Sequence, residues 1–205
     1  MRGDDIRPAS GLRERKKEKI RLTIQRIALQ LFRELGYENT TIDQIAEAAE
    51  ISRASFFRYF PTKADIVFFD IFDTRFLQAY QAQPANLNPI KALRIALHNV
   101  FREASSEELE LEKQRQALML QVPELRTAIS VISMRTLPVL ASAIAARSHL
   151  SVDDLRVRTL AGTVIGVIIS IWIALPNDNA VNIAKTLMEQ LEESLRYLES
   201  DFPEI

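Results

Sequence analysis

Four consecutive residues have the types and spacing needed for hydrogen bonding to duplex DNA. Ser52, Arg53, Ala54 and Ser55 stand at the start of a predicted short helix, Arg53–Tyr59. Arginine can donate forked hydrogen bonds to guanine O6 and N7 or to a phosphate, and alanine can contact a thymine methyl group. A small side chain also lets the helix approach the base edges. The spacing therefore predicts a recognition helix with its first turn in the major groove.

Other side chains near this helix are expected to contact the phosphate backbone and position the duplex. Thr41 can present a hydroxyl and the amides of a helix N-terminus to a phosphate. Thr41 and Ser52 are explained equally well by helix capping, and Phe57 and Tyr59 can be either core residues or DNA contacts. The candidates outside the first turn of the predicted helix Arg53–Tyr59 are Thr41, Phe57, Arg58, Tyr59 and Lys63.

Three capping signals define the helices that must hold these residues. Thr41 precedes Gln44, and Thr62 precedes Asp65, by the three residues of a capping box. Ser52 is itself a favoured N-cap. These signals predict one helix from Thr41, one over Arg53–Tyr59, and one from Thr62 through Tyr80. Short, sharply bounded helices of this kind are what a helix-turn-helix requires.

The rest of the chain shows helical periodicity with little strand alternation, which predicts an all-α protein of about nine helices. Gly36 is expected to end the first helix in a left-handed conformation, and Pro138 is expected to kink or split a later one. Phe56 and Phe60 are expected in the core. The remaining helices are predicted over residues 13–35, 90–104, 107–121, 124–147, 152–175 and 179–199.

Charge and composition favour a basic first domain and an acidic second one. Residues 1–63 carry 13 basic and 9 acidic side chains, whereas residues 64–205 carry 13 and 18. We expect a flexible arm over 1–12, a helix-turn-helix domain over 13–63 and a ligand-binding and dimerisation domain over 64–205. The absence of Cys excludes disulfides and suits a reducing cytoplasm, and no signal peptide is recognised.

The segment around the short helices resembles the DNA-binding domain of TetR-family transcriptional regulators. The resemblance covers about residues 17–66 and implies a three-helix DNA-binding domain, a helical ligand-binding domain that dimerises through its last two helices, and usually repression. Glu50 departs from the family pattern, which has Gly there, and Phe57 stands where Tyr is common. The matching residues are Gly36-Tyr37, Thr40-Thr41-Ile42, Ile45-Ala46, Ala49, Ile51-Ser52, Phe56-Phe57-Arg58-Tyr59-Phe60, Lys63 and Ile66.

The second half of the sequence is informative mainly about packing. The run Leu160–Leu175 is apolar nearly all round, so it predicts a buried helix rather than a membrane span. Gly162 and Gly166 within it allow close approach of another helix. The acidic run that includes Glu107, Glu108, Glu110 and Glu112 is expected to form a solvated face.

An apolar effector is expected in this half, although each of the side chains that would line its cavity is more often plain core. The C-terminal pattern also loosely resembles a TetR subgroup associated with acyl-CoA-like ligands, which implies that Arg115 or Arg126 meets a negatively charged head group. The candidate ligand-binding residues are Phe72, Phe76, Leu97, Phe101, Arg115, Leu118, Met119, Val122, Met134 and Trp172.

No set of residues with catalytic spacing is present, so an enzyme is not expected. His98 and His149 are far apart in the sequence, and without a histidine cluster a metal effector is not expected. No cofactor is predicted. The leading hypothesis is a ligand-responsive repressor that binds a palindromic operator as a homodimer. The alternative is a small-molecule-binding helical module with little DNA affinity.

Overall fold

The computed structural model describes residues 9–175 and 183–200. Within these ranges the chain forms ten α-helices and no β-strand, which confirms the all-α fold class. The chain divides into two compact units, Met1–Phe69 and Asp70–Ile205. The helices are α1 (Ala9–Leu35), α2 (Ile42–Ala48), α3 (Arg53–Tyr59), α4 (Lys63–Phe68), α5 (Ile71–Gln81), α6 (Pro89–Glu103), α7 (Ser106–Gln121), α8 (Pro123–Ser148), α9 (Leu155–Ala174) and α10 (Ile183–Glu199).

One predicted helix is divided into two in the structure. A single helix from Thr62 through Tyr80 was expected, but the backbone becomes extended at Phe69 and Asp70, with ψ angles of 112° and 117°. The Asp70 carboxylate then accepts a hydrogen bond from the Phe72 amide at 2.8 Å and caps α5. Because an extended residue cannot continue an α-helix, ten helices are found where about nine were expected.

The first helix begins earlier than the sequence indicated. α1 starts at Ala9, so residues 9–12 are helical rather than part of the expected arm. Residues 1–8 of that arm lie outside the described residues. At its other end, α1 is followed by Gly36 with φ of 86°, the left-handed conformation that was predicted there.

The first unit packs α2, α3 and α4 around the apolar face of α1. Phe56 and Phe60 are fully buried, as predicted, with ring centroids 6.2 Å apart. Burying one face of α3 in this way leaves its opposite face accessible. The buried apolar residues of this unit are Ile24, Ala28, Leu29, Phe32, Tyr37, Ile45, Ala46, Phe56, Phe60, Ile66 and Val67.

Two side chains of α1 hold the C-terminal end of α4 against α1. The buried Gln25 amide donates hydrogen bonds to the carbonyl oxygens of Ile66 and Phe69 at 2.7 and 2.6 Å. The Arg21 guanidinium lies over the rings of Phe60 and Phe69, at 5.0 and 3.9 Å from their centroids. The two units therefore divide after Phe69, whereas the sequence placed the boundary after residue 63.

The second unit has an apolar core formed by α5, α6, α8, α9 and α10. α6 contributes a face that repeats every three or four residues and buries Ala92, Leu93, Ala96, Leu97 and Val100. The fully or nearly buried core residues of this cluster are Tyr80, Ala92, Leu93, Ala96, Leu97, Leu140, Ala141, Ala143, Ile144, Ala145, Val157, Ala161, Val164, Ile165 and Leu195.

α8 and α9 are the two most apolar long helices. Both are long and apolar enough to span a membrane by length and composition, a test that core helices of soluble domains also pass. α8 runs through Pro138 as one helix, so Pro138 does not split it. α9 buries only one face. The prediction that α9 is buried on most sides is wrong for the single chain, because its other side is open and Ile173 is 69% exposed.

Candidate functional site

The caps predicted from sequence position α2, α3 and α4. The Thr41 hydroxyl accepts from the Gln44 amide at 3.2 Å while the Gln44 side chain accepts from the Thr41 amide at 2.8 Å. The Ser52 hydroxyl accepts from the Ser55 amide at 3.1 Å, and Thr62 forms a capping box with the residue at position 65. All three predicted N-caps are confirmed.

The turn between α2 and α3 contains the residue that departs from the family pattern. Glu50 adopts a left-handed backbone with φ of 54°. The Glu50 amide donates to the Glu47 carbonyl at 3.0 Å, and the Ile51 amide donates to the Ala46 carbonyl at 2.9 Å. A residue with a Cβ atom pays about 1 kcal/mol for this conformation relative to glycine. The turn geometry is therefore kept at a small cost in stability.

The open face of α3 presents the residues expected to contact bases. Arg53, Ala54, Phe57 and Arg58 are exposed, as is the capping residue Ser52. Phe57 has 40% of its surface exposed and meets the buried Phe56 edge-on, with centroids 5.6 Å apart. Ser55 and Tyr59 are half-buried. The structure thus brings most of the sequence-predicted residues of α3 to one accessible surface.

Arg53 is held by a carboxylate that the sequence did not identify. One guanidinium nitrogen of Arg53 lies 2.8 Å from both carboxylate oxygens of Asp43 on α2. The two side chains are 62% and 66% exposed, so the pair contributes at most about 1 kcal/mol. Arg53 also lies over the Phe57 ring, 5.6 Å from its centroid. The guanidinium is thus oriented but can be transferred to a DNA acceptor.

The N-cap and two polar side chains of α3 are hydrogen-bonded in a chain. The Ser52 hydroxyl is 3.0 Å from that of Ser55, and the Arg58 guanidinium donates to the Ser55 hydroxyl at 3.0 Å. This arrangement occupies Ser55 within the helix. Arg58 is exposed, so most of its donors face solvent.

Lys63 is placed differently from a lysine that extends freely into solvent. Its ammonium donates to the carbonyl oxygens of Tyr37 and Thr40 at 2.7 and 3.1 Å and lies 4.2 Å from the centroid of the Tyr37 ring. Two of its three donors are therefore used to hold the connection between α1 and α2. The sequence missed this role because the partners are 26 and 23 residues away.

The candidate ligand-binding residues of the second unit fall into three groups. Phe72, Leu97, Met119 and Trp172 are buried, whereas Phe76, Phe101, Leu118 and Val122 are half-buried. The rings of Phe72 and Phe101 stack with centroids 4.9 Å apart. Met134 is 67% exposed on the outer side of α8, so its assignment to the interior is wrong. Helical spacing alone did not tell which face of α8 turns inward.

Arg115 is buried and fully engaged by carboxylates. Its guanidinium donates to both oxygens of Glu112 at 2.7 and 2.6 Å and to Asp70 at 2.6 Å. These two carboxylates already neutralise the Arg115 guanidinium. Its contacts therefore do not support the prediction that Arg115 binds an anionic head group. Glu112 is only 5% exposed, so the prediction of a wholly solvated acidic face on α7 is wrong at this residue.

Two ionisable groups near Arg115 have raised pKa values. Burial raises the pKa of Glu112, against the lowering effect of Arg115. Loss of solvation at the Asp73 carboxylate and the neighbouring Asp70 raise the pKa of Asp73 to about 7, although the residue as a whole is exposed. By contrast, the hydrogen bond from Arg75 lowers the pKa of Glu108 to about 2. The sequence signal for this cluster was the spacing of Glu112, Arg115 and Gln116, which places three polar residues on one helical face.

The fold and the open face of α3 define a helix-turn-helix DNA-binding protein with a separate all-α second unit. Residues 24–68 match the family of bacterial regulatory proteins named tetR, and residues 87–203 match the MftR C-terminal domain.

Two curated relatives and one solved structure give the same assignment. The chain is 36% identical over 151 residues to the HTH-type transcriptional regulator TcmR of Streptomyces glaucescens, covering 70% of this chain and 67% of TcmR. It is 30% identical over 167 residues to the protein named as the mycofactocin biosynthesis transcriptional regulator MftR of Mycobacterium tuberculosis, covering 80% of this chain and 83% of MftR.

The fold is also that of Thermus thermophilus FadR, a TetR-family repressor solved with lauroyl-CoA, with a TM-score of 0.52 and 23% identity over 90% of this chain and 96% of FadR. The chain belongs to the TetR family and is a DNA-binding transcriptional regulator. Its relatives are regulators of transcription rather than enzymes.

Proposed function

We propose that this regulator is a repressor that binds a palindromic operator as a homodimer and is released by an apolar small molecule. The observation that carries the proposal is the open face of α3, on which Arg53 and Ala54 are exposed at the N-terminal end. In a helix-turn-helix this end lies nearest the base edges. Arg58 and the hydroxyl of Thr41 are suited to phosphate contacts. Such a protein acts where the chromosome is, in the cytoplasm.

The open face of α9 supports dimerisation through α9 and α10. A Cβ atom added at Gly162 or Gly166 would meet no atom of the described residues within 4 Å, so nothing in that part of the chain occupies the space. Leu155 and Ile173 on the same helix are 74% and 69% exposed. A groove of about 380 Å³ lies beside this face, lined by Ile90, Leu155, Arg156, Thr159, Leu160, Thr163 and Leu198. Small and apolar residues suit close helix packing with a second copy.

A homodimer also accounts for palindromic recognition. Two copies of α3 must enter successive major grooves on one side of the duplex, about 34–36 Å apart. An effector that binds better to a state with another spacing would lower operator occupancy, because a ligand shifts an equilibrium only through its differential affinity.

The second unit is the place for that effector. Its interior contains the stacked Phe72 and Phe101 together with the buried Leu97 and Met119. An acyl chain is one possible apolar body, since FadR was solved with lauroyl-CoA. In this chain Arg115 is already neutralised by Asp70 and Glu112, which argues against its use for an anionic head group.

A mobility-shift titration tests DNA binding. The duplex is the region upstream of the protein's own gene, with a shuffled duplex of equal length as control. We expect preference for the upstream region and an affinity that falls steeply with salt, since phosphate neutralisation releases counterions. Absence of preference would favour the alternative, a small-molecule-binding module with little DNA affinity.

Sedimentation tests the dimer. Gly166→Leu places a bulky side chain where the single chain has open space, so the variant should fold but block close approach of a second α9. Ser142→Leu, at an exposed position of α8, is the matched control. We expect a dimer for the control and a monomer for Gly166→Leu. A dimeric Gly166→Leu variant with unchanged affinity for DNA would refute this interface.

A further inference from the structure

Phe57 is the large apolar side chain on the open face of α3. The exposed residues of this helix are Arg53, Ala54, Phe57 and Arg58, and 40% of the Phe57 surface is exposed. The preceding Phe56 is fully buried and holds α3 against the rest of the first unit. A single exposed apolar residue is common on protein surfaces. This one, however, lies on the face that a helix-turn-helix turns towards the major groove.

The Phe57 ring is held in place by two contacts within α3. One is edge-on with the Phe56 ring, with centroids 5.6 Å apart and planes at 88°. The other is with the Arg53 guanidinium, which lies over the Phe57 ring, 5.6 Å from its centroid. Residues four apart share one helical face. The ring therefore stands beside the guanidinium that is expected to read a base, and both side chains reach the duplex together.

The chemistry of the ring limits what it can contact in duplex DNA. Tyrosine, which is common at this position in the TetR family, carries a hydroxyl that can donate to a phosphate oxygen, whereas Phe57 has no hydrogen-bonding group. The apolar group that a base presents in the major groove is the C5-methyl of thymine, and phenylalanine is among the side chains that contact it. Phe57 is therefore suited to a base contact rather than to the phosphate contact expected from the sequence.

We propose that Phe57 reads a thymine by packing against its C5-methyl group, close to the guanine that Arg53 reads. This rests on the proposed function, since α3 must enter the major groove. Four residues of an α-helix advance by about 6 Å, and successive base pairs are about 3.4 Å apart. The thymine therefore lies within about two base pairs of that guanine, in each half-site of the operator.

Ala54 is a second residue of α3 that can meet a thymine methyl. It follows Arg53 directly, so its side chain points about 100° away around the helix, whereas that of Phe57 points only about 40° away. The two side chains therefore point towards different bases. A thymine contacted by Ala54 should respond to Ala54→Gly, and a thymine contacted by Phe57 should respond to substitution of Phe57.

Removing single methyl groups from the DNA tests the contact. The duplex is one that the full-length protein selects from a random pool, and each thymine is replaced in turn by deoxyuridine at the equivalent positions of both half-sites. Deoxyuridine keeps the hydrogen-bonding groups of thymine and lacks only the C5-methyl. The guanine read by Arg53 is the one whose replacement no longer weakens binding in Arg53→Ala. We expect a thymine close to it at which the paired replacement weakens binding about fifteenfold, because each methyl contact is worth ~0.8 kcal/mol, or about fourfold.

Variants of Phe57 assign this methyl effect to the ring. With Phe57→Ala, the thymine and deoxyuridine duplexes should bind equally to within about twofold, the ordinary limit of additivity. Phe57→Tyr keeps the ring and should keep the fifteenfold difference. Val131→Ala is the matched control, because it truncates a 52% exposed apolar side chain on α8, and it should keep the difference as well. Thermal melting shows whether each variant is folded, and Phe57→Gln replaces Phe57→Ala if the alanine variant is not.

Three results overturn the thymine contact. They are a selected duplex without a thymine near the guanine, the absence of a methyl effect there, and a methyl effect that persists in Phe57→Ala. A methyl effect that Ala54→Gly abolishes and Phe57→Ala leaves intact transfers the contact to Ala54. If the wild-type protein selects no sequence from the pool, the proposed function fails and the contact with it. If it selects a palindrome but shows no Phe57-dependent methyl effect, operator recognition stands and only the thymine contact fails.

Discussion

Replacing Arg53 by alanine should lower operator affinity far more than affinity for random DNA. A forked contact between a guanidinium and guanine is worth about 1–3 kcal/mol of discrimination. To make it, Arg53 must leave Asp43, a pair that is 62% and 66% exposed and is worth about 0.2–1 kcal/mol. The net loss on Arg53→Ala should therefore be about 1–2 kcal/mol, a fivefold to thirtyfold weaker operator complex.

The partner substitution should act in the opposite direction. Asp43→Asn releases Arg53 from its ion pair and removes a negative charge beside the recognition helix. We expect operator binding to tighten by about 0.2–1 kcal/mol, at most about fivefold. Much of that gain should disappear in the Asp43→Asn, Arg53→Ala double variant, because the two residues are in direct contact and their effects are not additive.

Fluorescence anisotropy with labelled duplexes measures these changes. The operator is a duplex selected by the protein from a random pool, and the competitor is a shuffled duplex of the same length. Arg58→Ala is the control, since a phosphate contact should weaken both duplexes about equally. All three side chains are exposed, so each variant should stay within about 1 kcal/mol of the parent in stability, the upper value of the Arg53–Asp43 pair.

An unchanged ratio of operator to random affinity in Arg53→Ala would show that Arg53 does not read a base. A loss of the same size for Arg58→Ala on the operator alone would transfer that role to Arg58. Weaker operator binding by Asp43→Asn would mean that the ion pair preorganises Arg53 for DNA instead of competing with it.

Three further predictions concern side chains whose partners are seen in the structure. Lys63→Met should cost about 1.5–3 kcal/mol in chemical unfolding, because it removes charged hydrogen bonds, yet leave the slope of log affinity against log salt unchanged; a drop of about 0.9 would identify a phosphate contact instead. Gln25→Leu strips a donor from two carbonyl oxygens at the end of α4 and should destabilise the first unit by about 2–4 kcal/mol in urea unfolding, whereas the exposed Gln30→Leu should change stability by less than about 0.5 kcal/mol. The folded pKa of Asp73, about 7, exceeds its ordinary value of 3.8, so the free energy of unfolding should fall as pH rises between these values. Asp73→Asn should therefore raise the melting temperature at pH 8 by the equivalent of about 1 kcal/mol, a value reduced from the full pKa shift by solvent screening. A rise of the same size at pH 4 would show that the raised pKa is not the cause.

The sequence alone was sufficient for features that depend on near neighbours in the chain. Thr41, Ser52 and Thr62 cap helices at the predicted positions because a capping hydroxyl meets an amide only two or three residues away. The same locality made the left-handed Gly36 predictable. The exposed start of α3 followed from these caps together with the apolar period that buries Phe56 and Phe60.

Only the tertiary structure decided which polar and apolar side chains find partners from distant parts of the chain. Lys63 is bound by carbonyl groups 23 and 26 residues earlier, and Arg115 is paired with Asp70, 45 residues away. Met134 is exposed because α8 packs against the rest of the second unit through its opposite face. Helical periodicity predicts which residues share a face, but it does not predict which other helix that face packs against. Counting charges likewise does not show which carboxylate pairs with which cation. The sequence therefore located the candidate recognition helix α3, whereas the pairing of Arg115 on α7 with Asp70 on α5 was visible only in the tertiary structure.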